Sequence, residues 1–488
     1  MKKIIVFIIL IFNWHGINAQ NFERLFHTEF DSYATDVIQI NNSYFVASIH
    51  VFEKSYPFEN STSELLKLDL NGNITKSLKF DFLNNHVKIN KLIRVDDDIF
   101  LHGINSIDAS NFSQKAFIAR IDTNLNIKYL QNYFIENVPF NIMDVADYDS
   151  SNFLMYYLPG YPYYIALINK NNGSIELKTQ KDYPFFSLIH LKNKNKIHLY
   201  PYNTFSFSFL SYDNTTFTII DSVNFSSLNQ VRKSKLMIND STYFIASEYL
   251  KNTPHTHPNA CWDFSIIKVN DSLNNITDFV YVTYPNTLSH KIAYNNALSF
   301  CQSDSNIIYY GGTYNFSLPE PTDFIKESRR FELLKIDRNG YFIDRKIFSN
   351  NNENYSLVME SLTATSDGGC IMVGWFWDYS QDNPVEKRSI YILKVDSLGN
   401  YNPSLNITKI NQNPLIHLYP NPNSSRMMNI TGIKGDEIIF IYTIHGQLLK
   451  KIQAQNTLDL SDFSKGAYIF SIHSAKGDFI KNEKVILD

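Results

Sequence analysis

The stretch PHTHPNACW at residues 254–262 sets His255, His257 and Cys261 close together. A His-x-His pair beside a thiol is a donor set that zinc or copper takes. No carboxylate or third histidine follows at a ligand spacing, so the segment reads as a polar loop and no metal is expected. Asp96, Asp97 and Asp98 raise calcium, which needs oxygen ligands at alternate positions around a glycine. Here they are consecutive and fall in a hairpin turn. There is no Gly-x-Ser-x-Gly elbow, no His-Glu-x-x-His and no glycine loop to cradle phosphate. A glycosidase pair could still be drawn from the 48 acidic residues, because its two carboxylates need not be near in sequence. No catalytic residue and no cofactor is assigned, and a non-enzyme is expected.

Aromatic side chains offer a different chemistry. Exposed rings stack on sugar faces or anchor protein partners. Trp262, Trp375 and Trp377 lie in or beside segments that join strand-like runs, together with Tyr56, Phe58, Tyr314, Phe316 and Tyr379. Trp262, Trp375, Trp377, Tyr314, Phe316 and Tyr56 are therefore the candidates for a ligand-binding face. The competing reading has Trp375 and Trp377 extending a strand and packing between repeats.

The elements that would position these residues form a repeat. One segment type is an apolar run, a polar turn and a second strand-like run, as in ELLKLDLNGNITKSLKF (64–80), AFIARIDTNLNIKYLQNY (116–133) and FELLKIDRNGYFIDRKIF (331–348). It occurs seven times, with landmark turn residues Asp69, Asp122, Asn169, Asp213, Asn270, Asp337 and Asp396. Each copy follows an apolar hairpin such as DVIQINNSYFVASI (36–49) or LTATSDGGCIMVG (362–374). Asn, Asp, Gly and Ser favour such tight turns because they tolerate positive φ or bond their own backbone. Four strands, a to d, in units recurring about every 40–50 residues are the signature of propeller blades. The last repeat runs into NYNPSLN, where Pro403 makes a poor ladder strand. FERLF within residues 22–30 is otherwise unassigned, and is expected to supply the missing outer strand. The b–c connections 50–63, 104–115, 250–262, 313–330 and 375–388 are the longer ones and share one face, where function usually sits.

Composition agrees with an all-β body. Aromatic residues make up 15% of the chain, with 31 Tyr and 37 Phe, and such residues favour strands. The net charge of −4 carries no basic field, so nucleic acid is not an expected partner. Lys2 and Lys3 precede the apolar run Ile4 to Phe12, which is too short to span a bilayer and reads as a secretory leader. Cleavage is expected after Ala19, leaving Gln20 first. Cys261, Cys301 and Cys370 are an odd count and read as buried thiols. The lysine two places before the landmark, present as Lys67, Lys268, Lys335 and Lys394, makes roughly residues 30–402 similar to SBBP-type bacterial β-propeller repeats. It is missing from repeats two to four. Such repeats imply a fold and no chemistry.

After Asn411 the pattern changes to short alternating strands. Pro420, Asn421 and Pro422 open this segment, Gly446 and Gln447 form a hairpin turn, and Leu460, Ser461, Gly466 and Tyr468 follow the pattern Leu-Ser-x-x-x-x-Gly-x-Tyr. A final basic-apolar strand carries Lys481, Lys484, Val485, Ile486 and Leu487. Together these resemble the C-terminal sorting domain of the type IX secretion system. The resemblance implies passage through the periplasm of a Gram-negative bacterium and recognition by an outer-membrane translocon. Release, or attachment to surface lipopolysaccharide, would then follow.

The expected organisation is a signal peptide (1–19), a seven-bladed β-propeller (20–402), a linker (403–412) and a small Ig-like β-sandwich for sorting (413–488). The expected product is a secreted or cell-surface protein that binds an extracellular glycan or protein without catalysis. A secreted hydrolase or lyase of polysaccharide and a structural surface component are the alternatives.

Overall fold

A computed structural model describes residues 21–28, 30–55, 58–80, 86–106, 114–133, 141–158, 163–181, 185–201, 207–225, 229–250, 262–281, 290–292, 298–300, 304–314, 329–348, 355–378, 387–401, 416–433, 435–443, 448–473 and 479–488. The chain divides into a unit ending at Leu405 and one beginning at Asn406. Among the described residues no helix is long and apolar enough to cross a membrane.

The first unit is a β-propeller. Among the described residues its strands form four four-stranded antiparallel sheets, one five-stranded sheet, and one eight-stranded sheet in which the parallel pair Ser61–His86 joins two four-stranded halves; the repeats are numbered in turn as blades. Blade 1 runs from the inner strand Asp31–Ile40 through Ser43–Ser55 and Phe58–Leu68 to the outer strand Ile74–Lys79. Blade 2 is His86–Val95, Asp98–Ser106, Gln114–Asp122 and Ile127–Tyr133. Blade 3 is Asn141–Asp147, Asn152–Leu158, Tyr163–Asn169 and Ile175–Lys181. Blade 4 is Phe185–Leu191, Lys196–Pro201, Phe207–Asp213 and Ile219–Phe225. Blade 5 is Asn229–Asn239, Thr242–Leu250, Trp262–Asn270 and Ile276–Tyr281. In blade 6 two short segments, His290–Ile292 and Leu298–Phe300, both pair with Ile307–Tyr314, followed by Arg330–Asp337 and Phe342–Phe348. Blade 7 takes Tyr355–Ala364, Cys370–Asp378 and Ser389–Val395 from its own repeat, and its outer strand is Phe22–Phe26 from the start of the chain.

Apolar cores between neighbouring blades run all the way round. Phe45, Leu65, Ile89 and Phe117 join blades 1 and 2. Phe100, Ala116, Phe153 and Ile168 join 2 and 3. Leu154, Ile165, Leu188 and Leu199 join 3 and 4, and Ile189, Tyr243 and Val269 join 4 and 5. A larger cluster from Phe244 through Tyr310 to Leu362 covers blades 5, 6 and 7. Phe22, Tyr44, Val373 and Ile392 close 7 onto 1. Burial of this kind contributes roughly 25 cal/mol per Å² and is the main stabilising term. The alternating apolar faces of each strand supply it, because both faces of a blade are covered.

The landmark residues work as turn caps. Asp69 Oδ1 accepts from the backbone N–H of Asn71 at 2.9 Å and of Asn73 at 2.8 Å. Slight burial would raise its carboxyl, but the bonds from Asn73 and Asn71 win and hold it below the ordinary range. Asp122, Asp337 and Asp396 repeat the arrangement. The carbonyl one residue past the landmark accepts from a cation of the preceding blade. Lys67 Nζ reaches Thr123 O at 2.8 Å, Arg120 Nη1 reaches Lys170 O at 3.1 Å, Lys196 Nζ reaches Asp271 O at 3.1 Å and Lys335 Nζ reaches Ser397 O at 2.8 Å. Repeat two therefore keeps the cation of the motif, as Arg120 in place of lysine.

Three sequence readings meet the structure differently. Residues 50–63 are not a loop over most of their length: Ser43–Ser55 and Phe58–Leu68 are the two arms of a long hairpin. Cys370 is buried, with its Sγ 3.8 Å from Ile371 O, whereas Cys261 and Cys301 lie outside the described residues. Asp96 and Asp97 form the turn, and Asp98 opens the strand after it, pairing with Arg120 Nε at 2.6 Å and Lys128 Nζ at 2.7 Å.

The second unit is a β-sandwich. His417–Tyr419, Met427–Thr431 and Thr457–Asp459 form one sheet. The other orders Leu448–Gln453, Ile438–Thr443, Gly466–His473 and Phe479–Leu487. Leu418, Met428, Ile439, Leu460, Phe470 and Val485 fill the core between them.

Candidate functional site

The inner strands share a local irregularity. Register breaks between Ala34 and Asp36, Ile89 and Lys91, Ile142 and Asp144, Phe185 and Ser187, Val231 and Lys235, and Met359 and Ser361. A bulge bends a strand and re-aims the side chain that follows it. The residues re-aimed here are Asp36, Lys91, Asp144, Ser187, Lys235 and Ser361, all polar.

These side chains join blade to blade around the axis. Ser361 Oγ of blade 7 donates to Asp36 Oδ1 of blade 1 at 2.6 Å, and Asp36 Oδ2 accepts from the Leu92 N–H of blade 2 at 2.8 Å. Asp144 Oδ2 of blade 3 accepts from Ser187 Oγ, from the Leu188 N–H at 2.9 Å and from Lys235 Nζ of blade 5. Ser234 Oγ takes the Leu298 N–H at 3.1 Å, and Ser299 Oγ takes the Ala364 N–H at 3.0 Å, which links blade 5 through blade 6 to blade 7. Burial raises the Asp36 carboxyl above its ordinary value, against the pull of Lys91. Burial acts the same way on Asp144, but Lys235 and then Lys91 outweigh it and hold that carboxyl low. Both central carboxylates are thus committed to holding blades together. Spacing in the sequence carries no sign of this belt, because its members come from different repeats.

On the face where b–c connections emerge, the candidate aromatics occupy strand ends. Trp375 and Trp377 lie within Cys370–Asp378 and are half-buried. Trp375 Nε1 donates to Glu360 Oε1 at 3.2 Å. The Arg388 guanidinium stands 4.3 Å from the Tyr33 ring centre and 6.0 Å from that of Trp375. It is held by Asp31 through Nη2 to Oδ2 at 2.7 Å and Nε to Oδ1 at 3.0 Å. Tyr33, Trp375, Arg388 and Glu360 thus form one cluster at the junction of blades 7 and 1. Planar rings, a guanidinium and a carboxylate suit a hydroxylated ligand. Tyr314 stands apart, at the end of Ile307–Tyr314, with Arg345 over its ring at 5.5 Å. Trp262 starts the strand Trp262–Asn270, and its partner in the ladder is Leu250. Tyr56, Phe316, Tyr379, His255 and His257 lie outside the described residues, as do Ala19 and Gln20. Among the described residues no group of three metal-ligating side chains comes together.

In the second unit the sorting motifs converge on the last strand. Asn421 Nδ2 donates to Lys484 O at 2.7 Å and Asn421 Oδ1 accepts from the Ile486 N–H at 3.0 Å. Pro420 and Pro422 flank it, each after a cis peptide bond. Asn423 is fully buried, takes a backbone bond to Ile486 O at 2.7 Å and pairs in parallel with Leu487. Gly466, opposite Leu487, has φ +152. Tyr468 donates to Ser464 O at 2.8 Å and packs edge-on against Phe463 at 5.5 Å. Gly446 and Gln447 lie outside the described residues.

Comparison with known proteins matches residues 417–488 to the secretion system C-terminal sorting domain. No curated protein matches the chain in sequence. Among solved structures, the chain is similar to Kuenenia stuttgartiensis hydrazine synthase at 8% identity and TM-score 0.47, covering 77% of this chain and 98% of that one. It is similar to the Dos1 propeller at 10% identity and TM-score 0.42, covering 78% and 96%. It is similar also to the β-propeller domain of the trilobed protease from Pyrococcus furiosus at 10% identity and TM-score 0.34, covering 66% and 98%. The fold assignment rests on the blades themselves. Residues 417–488 are a type IX secretion C-terminal sorting domain, carried by a β-propeller chain exported to the cell surface or beyond it.

Proposed function

We propose that the propeller is a non-catalytic binding or adhesion module, taking an extracellular glycan or protein on the face of its b–c connections. The observation that carries this reading is the Tyr33–Trp375–Arg388–Glu360 cluster at the strand ends of that face. Rigid aromatic and guanidinium groups dominate recognition surfaces because they offer large contact area at low entropic cost. The commitment of Asp36 and Asp144 to blade-to-blade bonds supports binding over acid–base chemistry. A glycan and matrix-protein screen on the full chain tests the reading. Changing Trp375 and Trp377 to Ala is expected to lower affinity at least tenfold while the melting transition persists. Undiminished binding by that double variant would refute it, and release of reducing ends from a polysaccharide by the wild type would favour the hydrolase.

A further inference from the structure

The opposite face of the propeller, where the a–b turns lie, holds a second feature. The inner strands of blades 3, 4 and 5 end around a half-open cavity of about 520 Å³. That volume falls within the range of about 300–1,000 Å³ usual for small-molecule sites. Ala146, Ile189 and Met237 line it with apolar surface, and Asn193, Asn239 and Asp240 line it with amide and carboxylate groups.

We propose that this cavity binds a neutral, hydroxylated ligand of saccharide type. Charge decides against an anion. Lys235 and Lys192 both line the cavity, and so do two carboxylates, Asp147 and Asp240, so the charges of the lining balance. An ammonium has three N–H bonds, and Lys235 Nζ bonds Asp144 Oδ2, Ser187 Oγ at 2.9 Å and Leu188 O. Lys192 Nζ lies 2.6 Å from Asp147 Oδ2, and Lys170 Nζ lies 2.5 Å from Asp147 Oδ1. A lining whose two ammoniums are matched by two carboxylates holds little net attraction for phosphate or carboxylate.

His190 adds polarity without charge. Its Nδ1 is 3.0 Å from Asp147 O, which only accepts, so Nδ1 carries the proton. Nε2 is then the acceptor that faces Asn214 Nδ2 at 3.3 Å. Tyr148 stacks behind the ring at 4.7 Å and fixes its plane. Burial lowers the imidazole below its ordinary value, keeping it neutral at pH 7. A sugar presents what such a lining accepts: a CH face for Met237 and Ala146, and hydroxyls that donate to Asp240 and accept from side-chain amides. The site is remote in the fold from Trp375 and does not depend on that face binding anything.

The test is ligand-observed NMR titration of the full chain with glucose and N-acetylglucosamine, and with glucuronate and inorganic phosphate as anionic counterparts. Met237→Trp fills the cavity from a position that is 37% exposed, so the fold should tolerate it. The neutral sugars are expected to bind the wild type, to weaken at least tenfold in Met237→Trp and about threefold in Asp240→Asn, and to be unaffected by Trp375→Ala. Should Met237→Trp misfold, Asp240→Asn alone gives the reading. No binding of either neutral sugar, tighter binding of glucuronate or phosphate, or undiminished sugar binding by the cavity variants would overturn the proposal.

Discussion

Ser361 Oγ donates a 2.6 Å hydrogen bond to Asp36 Oδ1, linking the inner strands of the last and first blades across 325 positions of the chain. The same carboxylate also accepts from the Val37 N–H at 2.9 Å and the Leu92 N–H at 2.8 Å. Asp36→Ala would leave buried donors without an acceptor, which costs about 1–3 kcal/mol per group. A loss of about 3 kcal/mol is expected in urea unfolding, with Asp36→Asn, which keeps one acceptor oxygen, losing less. Equal losses in the two variants would count against the belt.

Phe22 is 2% exposed and lies against Gly72 in the outer turn of blade 1. A Cβ on Gly72 would fall 2.5 Å from the Phe22 ring, at a backbone φ of +78 that already favours glycine. The clasp strand therefore seals blade 7 and also touches blade 1. Phe22→Ala should cost about 3–5 kcal/mol, and removal of residues 22–30 should lower the melting temperature further by exposing the edge of Ser389–Val395. An unchanged melting curve after either change would sink this role.

Arg120 bonds Asp98 Oδ2 at 2.6 Å within its blade and Lys170 O at 3.1 Å in the next. Arg120→Ala is expected to destabilise by about 1–2 kcal/mol, since the nearly buried Asp98 would keep only Lys128 and the Lys170 carbonyl would lose a donor. Arg120→Lys should recover part of that, because lysine makes the same reach in blades 1 and 6. Failure of lysine to rescue would mean that the planar fork, and not the cross-blade contact, matters.

Legibility differed between the rim and the axis. The landmark Asp69 and its counterparts could be read because a turn cap needs a particular side chain at a fixed offset from its backbone donors. The strand FERLF could be read because the last repeat lacked a partner. Arg120 was obscured by a change of residue type at a conserved geometry. Asp36, Asp144 and Lys235 gave no local signal: each is one polar residue at a bulge, and its partners in other blades are 43 to 325 positions away. Trp375 was legible as a candidate, but Glu360 and Arg388 meet it only when blade 7 folds, and Tyr33 only when the ring closes.

Acid should weaken the propeller through a specific histidine. Burial holds the His198 imidazole down at about 4, against about 6.5 in an unfolded chain. Between those values the unfolded chain takes up a proton that the native one refuses. Stability is therefore full above about pH 6.5 and falls as pH drops toward 4, by up to about 3 kcal/mol. His198→Gln removes this titration and can keep a hydrogen bond to Tyr243, now at 2.9 Å. Its urea midpoint should fall less than that of the wild type between pH 7 and 4.5; parallel falls would contradict the assignment.

In the sorting domain, Asn421 ties the Pro-Asn-Pro segment to Lys484 and Ile486. Asn421→Ala should loosen that segment and reduce export several-fold, measured by immunoblot of culture fluid and cell fractions. The propeller's own melting transition should not move.

The central claim is that the chain is delivered across the outer membrane by residues 417–488. The direct measurement is protease accessibility on intact host cells and in the medium, for the full chain and for one lacking those residues. The full chain should be found outside or digested at the surface, and the truncated one should remain protected in the periplasm. Equal surface delivery of the truncated chain would contradict the account.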